Sequence, residues 1–258
     1  MRRSRGPTRK SPPTTSAPAS SRGWSKPLNS FPPATDQRTF EKFKADGTAK
    51  RHRGCTFVAN VVEDSPSYEV CERIQDDAAE QGMTQHFALL PPSSYHMTVF
   101  PGLKDRKFIG EEDRWPDWLK PASDMTEAVE LIRTRLVDER DSIPALPPLR
   151  MKPDYVYDLG VSLTVHLVPA DEEMAEQLNE FRSSLRDVLE IKDQHFDTYR
   201  FHCSLGYRLT ASETTEQLNG ELAERYSAWV QEIDTFDLER PAFNVFDDML
   251  SFPPLLMF

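Results

Sequence analysis

Sliding this sequence by 106 residues lays its second half over its first without a gap. TFVANVV at 56–62 falls on SLTVHLV at 162–168, Ser65 falls on Asp171, and His96 and Thr98 fall on His202 and Ser204. One offset that aligns a buried-type strand, a helix start and a polar pair restricts the fold more than composition does. Each copy reads as strand, helix, strand. CTFVANVVE (55–63) is a buried strand; Ser65 and Pro66 supply an N-cap and a first-turn proline, and Val70, Ile74 and Ala78 form a helical stripe closed by Gly82. In the second copy GVSLTVHLV (160–168) leads from Asp171 into a stripe of Met174, Leu178, Phe181, Leu185 and Leu189, and then into the strand RFHCSLGYRL. A helix after Asp124, a last helix carrying Leu218, Leu222, Trp229 and Ile233, and strand-like segments at 236–238 and 242–249 complete the pattern. Two such units predict a bilobal α+β protein with pseudo-twofold symmetry.

Charge divides the chain differently. Seven of the 31 basic residues lie within residues 1–30, which hold no acid, so the rest sets 24 basic against 42 acidic side chains, a net of −18. Residues 1 to about 35 are rich in Ser, Thr, Pro and Arg and poor in large aliphatics, too poor to offset chain entropy. We assign 1–48 to a disordered basic tail and 49–258 to a single bilobal domain, and expect removal of 1–35 to leave turnover unchanged. An acidic body is ill suited to an extended duplex, whose binding depends on lysine and arginine displacing counterions. A small phosphate ester or an RNA end fits better. No run of 18 apolar residues and no signal-type h-region is present, so no membrane partner is expected, and an intracellular (cytoplasmic or nuclear) monomer is. Cys55, Cys71 and Cys203 form no CxxC pair and are odd in number, which predicts buried free thiols instead of disulfides or a zinc site.

The polar pairs sit in YHMTVF (95–100) and FHCSLGY (201–207). Strict alternation sends His96, Thr98 and Phe100 to one face of the first strand, and His202, Ser204 and Gly206 to one face of the second. If a twofold relates the lobes, two imidazoles and two hydroxyls meet in one cleft. Imidazoles titrate close enough to neutrality for one to act as base and the other, beside an anion, as acid. The hydroxyls would donate to phosphate oxygens. This chemistry calls for no metal and no cofactor.

At these residues the chain resembles the two-histidine phosphoesterase superfamily, the RNA-ligase-like and cyclic nucleotide phosphodiesterases defined by two H-x-[ST]-x motifs. Here the motifs are His96-Met97-Thr98-Val99 and His202-Cys203-Ser204-Leu205. Their contexts look most like a fungal-type branch of that group. The resemblance implies two lobes, each an antiparallel sheet with flanking helices, around a central cleft, and hydrolysis of 2′,3′-cyclic phosphates of nucleotides or RNA ends, or of ADP-ribose cyclic phosphate, usually leaving a 2′-phosphate. It implies His202 as the group activating water, His96 as the acid on the leaving oxygen, and Thr98 and Ser204 as phosphate ligands. The second motif has serine where threonine is common, and serine keeps the donor. Two rivals use the same residues: a non-catalytic nucleotide or RNA-end binding module, and a metal-dependent phosphohydrolase, for which the sequence offers no helical HxxxH or HxD pair.

Further substrate-binding candidates are Tyr207, Phe100, His195 and Trp115. Trp115 lies in a loop, 101–123, that also carries Lys104, Arg106, Lys107, Arg114 and Trp118. That loop reads either as a lid that stacks a base or as a surface loop with its tryptophans packed down. His166 takes the place of Asn60 in the repeat and so is left out of a symmetric site.

Overall fold

The computed structural model describes residues 37–108, 114–209 and 214–258. The tail up to residue 36 lies outside them. Residues 37–48, which composition assigns to that tail, are structured. Gln37–Lys42 forms a one-and-a-half-turn helix, α1, and Phe43, 1% exposed, packs with Ala88, Leu90, Leu209 and Met249. Two aromatics at helical spacing, Phe40 and Phe43, lie in and just after this helix.

All strand pairings are antiparallel. The first copy comprises β1 (Gly54–Asn60), α2 (Pro66–Glu80), β2 (Phe87–Leu89) and β3 (His96–Phe100). After α3 (Met125–Asp138) and β4 (Leu149–Val156) comes the second copy, β5 (Ser162–Pro169), α4 (Glu172–Leu189) and β6 (His202–Arg208). The chain then forms α5 (Glu216–Val230), β7 (Phe236–Leu238), β8 (Ala242–Phe246) and β9 (Pro254–Met257). The helix starts follow the sequence: the side chains of Ser65, Asp124 and Asp171 each accept from first-turn backbone amides, and Gly82, at φ 76°, ends the α2 region in the left-handed conformation that glycine tolerates.

The two lobes share one sheet in the order β7-β4-β5-β6-β3-β1-β8-β9, with β2 also paired to β6. Outward from the β6–β3 seam the repeat partners β5 and β1 come first on either side, so the pseudo-twofold passes between the two motif strands; β4 and β7 on one side and β8 and β9 on the other lie outside the repeat. The seam itself is short. Met97 faces Cys203 across it, after which β2 takes over the edge of β6, with Phe87, Ala88 and Leu89 opposite Arg208, Tyr207 and Gly206. Gln75 of α2 donates to the carbonyls of both Leu90 and Leu205 and ties the two segments where the ladder changes partner.

Helices α2 to α5 cover one face of the sheet, where Phe57, Ala59, Met97, Val99, Val165, Cys203 and Leu205 form the core. All three cysteines are buried and free. The opposite face is closed at one end by α1 and by the segment between β8 and β9. Among the described residues no helix is long and apolar enough to cross a membrane.

Candidate active site

The seam register builds the site. Met97 and Cys203, both fully buried, point into the core. Their neighbours therefore point away from it, and continuing the antiparallel register by one residue in each direction sets His96 across from Ser204 and Thr98 across from His202. Facing residues in such a pair stand roughly 4.5–5.5 Å apart at Cβ. All four motif side chains thus share one patch, each imidazole beside the hydroxyl of the other motif.

Both imidazoles are held alike. His96 Nδ1 lies 2.7 Å from the Ser94 carbonyl and His202 Nδ1 lies 2.8 Å from the Arg200 carbonyl, positions related by the repeat offset. A carbonyl only accepts, so Nδ1 carries the proton in each ring and Nε2 is left to the cleft. Burial lowers the pKa of His96 to about 4, with the Ser94 bond opposing and the charges of His202 and Lys42 assisting. Burial also lowers His202, with the Arg200 carbonyl opposing and Lys42 and His166 assisting. Both rings are therefore neutral at pH 7 in the free protein. A proton on either awaits a neighbouring anion.

Strict alternation fails one residue beyond each motif hydroxyl. β3 pairs Thr98 with Val58 but Phe100 with Phe57, leaving Val99 as an extra residue, and β6 pairs Ser204 with Thr164 but Gly206 with Leu163, leaving Leu205. These are β-bulges at equivalent positions of the two copies, and each reverses the faces that follow. Phe100 is consequently turned into the core, 0% exposed, against Phe57 and Phe196, and is no ligand contact. Tyr207, which alternation would bury beside Cys203, comes out on the histidine face, half-buried between Phe43 and Met249.

The other candidates fall elsewhere. Trp115 is 6% exposed, donates to the Lys104 carbonyl and is covered by the Arg106 guanidinium, 4.2 Å from its ring. Arg106 donates to the carbonyls of Leu119, Lys120 and Ala122, while Trp118 donates to that of Leu189. The described part of this loop is packed down, and its basic and aromatic groups are spent on that packing; 109–113 lie outside the described residues. His195 is exposed at the start of a short 3-10 turn. The residue of this segment that reaches the motifs is Tyr199, whose ring lies 6.3 Å from that of His202. His52 is a core residue, 1% exposed and 4.4 Å from the Phe108 ring.

Symmetry also hides His166. It pairs directly with His202 as Asn60 pairs with His96. Its Nδ1 lies 3.1 Å from Asp154 Oδ2 and Tyr155 packs against its ring, whereas Asn60 donates to Glu239 and the ring beside His96 is Phe252, at 4.2 Å. The last missed residue is Lys42 of α1, whose ammonium donates to the Tyr207 hydroxyl at 3.3 Å. Among the described residues no group of three or more His, Cys, Asp or Glu side chains is placed to hold a metal ion.

Comparison with known families bears on this patch. Residues 42–162 match the family model described as "2H-phosphodiest: Domain of unknown function (DUF1868)". Over these residues, a little under half of the chain, the sequence is similar to that family. The 2H match takes in the first motif and ends where β5 begins; the second copy supplies the other motif. Among solved structures, a conserved protein of unknown function, ATU0111, from Agrobacterium tumefaciens superposes with a TM-score of 0.71 at 24% identity, over 84% of this chain and 90% of that one. This likeness shows a shared fold. E. coli LigT, in a structure complexed with NADP+, gives a TM-score of 0.38 at 12% identity over 80% of this chain and 97% of its own. No curated protein matches the sequence.

Proposed function

We propose that the protein hydrolyses 2′,3′-cyclic phosphates, of nucleotides or of RNA ends, by proton transfer between two histidines. The observation that carries this reading is the common face of His96, Thr98, His202 and Ser204, with both Nε2 atoms turned to the cleft. His202 Nε2 takes a proton from a water that attacks phosphorus; as the bond to the 3′ oxygen breaks, His96 gives that oxygen a proton and a 2′-phosphate remains. Thr98 and Ser204 donate to the non-bridging oxygens. The assignment of base and acid follows the family resemblance. His96 is neutral in the free protein, so its proton must arrive with the substrate, whose phosphate charge raises the pKa of a ring it touches. Paired acid and base contribute on the order of 10² to 10⁴ each.

The test is a panel of 2′,3′-cyclic nucleotides, 3′,5′-cyclic nucleotides and cyclic-phosphate-ended oligonucleotides, assayed with EDTA present and followed by ³¹P NMR. Turnover of the 2′,3′ esters to 2′-phosphates is expected. Activity that vanishes with EDTA would replace this reading with a metal-dependent one, and tight binding without turnover would make the protein a binding module.

A further inference from the structure

Lys42 holds an unusual position in an acidic protein. The body outside residues 1–30 carries a net charge of −18, and two other lysines of that body are paired with acids: Lys104 lies 3.7 Å from Glu41 and Lys107 lies 3.5 Å from Asp105. Among the described residues no carboxylate pairs with Lys42. Its neighbour Glu41 turns away to Lys104, and the Lys42 ammonium instead meets a neutral phenol, 3.3 Å from the Tyr207 hydroxyl and 4.4 Å from the centre of the ring. The Tyr207 ring lies on the histidine face because of the bulge at Leu205. Backbone geometry holds α1 in place: the Lys50 amide donates to the Lys42 carbonyl, the Lys50 ammonium donates to the Phe40 carbonyl, and Phe43 anchors the helix end in the second apolar cluster. A half-buried ammonium on the Tyr207 hydroxyl, on the face that carries both motif imidazoles, is a cation in want of an anion.

We infer that Lys42, held by Tyr207, is a phosphate-binding residue of this cleft, supplied by the N-terminal helix to neutralise the charge that the two motifs alone leave on a bound phosphate ester. Among the described residues Lys42 is the cation whose charge bears on both motif histidines. The hydroxyls orient the phosphate by hydrogen bonds but bring no formal charge, and a charge-assisted bond is about twice as strong as a neutral one. The inference deepens the proposed function and rests on its placing of a phosphate at the motif face.

The experiment separates the two claims by using inorganic phosphate, which cannot be hydrolysed, on the full chain. Phosphate is titrated against the ring-proton resonances of His96 and His202 in the wild type, Lys42→Met and Lys42→Arg, with a thermal melt for each. Both resonances should move in the wild type; Lys42→Met should weaken the apparent Kd by about tenfold or more, by the strength of a hydrogen bond to a charged group, and Lys42→Arg should restore most of it. If Lys42→Met melts early, Lys42→Gln is read in the same way. Phosphate binding by the charge-removing variant within twofold of wild type would overturn the inference, as would wild-type resonances that do not move at 100 mM phosphate. A phosphate response that depends on Lys42, in a protein that turns over no cyclic ester, would uphold the inference and sink the proposed reaction.

Discussion

The two copies of the strand–helix–strand unit hold their histidines identically and surround them differently. In each, a carbonyl two residues upstream takes the Nδ1 proton, a hydroxyl follows two residues on, and a bulge follows that. Beside His96 stand an amide, Asn60, and an apolar ring, Phe252; beside His202 stand His166 with its Asp154 carboxylate, and the phenol of Tyr199. In the proposed reaction, what the copies share would place two general acid–base groups on one phosphate. What they do not share gives the two histidines unlike surroundings, which suits an ester with one leaving and one retained oxygen.

The shared part is the most sensitive to substitution. His96→Ala and His202→Ala should each lower kcat/KM on 2′,3′-cyclic AMP by about 10² to 10⁴ while leaving the melting temperature near wild type, since both rings border the cleft. A variant that lost its fold instead would make that histidine a structural group. The bulges come next, because they separate the aromatics that follow the motifs. Phe100→Ala should cost about 3–5 kcal/mol in chemical denaturation as a core deletion, whereas Tyr207→Phe should leave stability within about 0.5 kcal/mol. Equal losses in the two would mean that the reversed alternation is wrong.

Acid should unfold the protein through two histidine rings, His52 just ahead of β1 and His96 in β3. His52 and His96 both have folded pKa values lowered to about 4, against an ordinary 6.5. Below 6.5 the unfolded chain takes up protons that the folded one refuses, so the stability these groups contribute is complete above 6.5 and is lost progressively as pH falls to about 4. For a group lowered so far the loss reaches about 3 kcal/mol. Urea midpoints between pH 7 and pH 4 measure it, and His52→Phe should flatten the curve. An unchanged slope would mean that His52 is not the buried neutral ring described.

Exchanging the unlike neighbours should have the smallest effect. His166→Asn gives the second copy the first copy's residue and should change kcat/KM less than tenfold while moving its pH limbs, because His166 helps hold the His202 pKa down. Both motif histidines titrate below 6.5, so in the wild type the alkaline limb of kcat/KM falls below that value whichever ring is the acid, and the limb of kcat lies higher because phosphate raises the acid's pKa. A kcat/KM profile flat from pH 6 to 9 would sever the rate from these two rings.

The repeat made the helix starts and the polar face of each motif strand readable in the sequence, because period-2 and period-3.6 patterns and capping residues act locally; that the two motif strands pair in one continuous sheet, and not in a sheet for each lobe, was not readable. Reading stopped where distant contacts decide. No local signal announces the bulges at Val99 and Leu205; they arise from register with β1 and β5, so Phe100 and Tyr207 were given each other's faces. β4 escaped notice because Pro153 interrupts it, although Leu149 and Met151 point inward between exposed Arg150 and Lys152. β9 is short and largely exposed. Lys42 was hidden by the composition of the segment before it, and His166 by the assumption that a pseudo-symmetric fold must have a symmetric site.

The carbonyls of Ser94 and Arg200 belong to the main chain, and this bears on how such a cleft can change over generations. No point mutation deletes a carbonyl. Asn60, His166, Phe252, Tyr199 and Lys42 can each be exchanged and leave both imidazoles facing outward with the same nitrogen bare. A lineage built this way can alter what it recognises one side chain at a time while its proton geometry, written in the path of the backbone, is passed on intact.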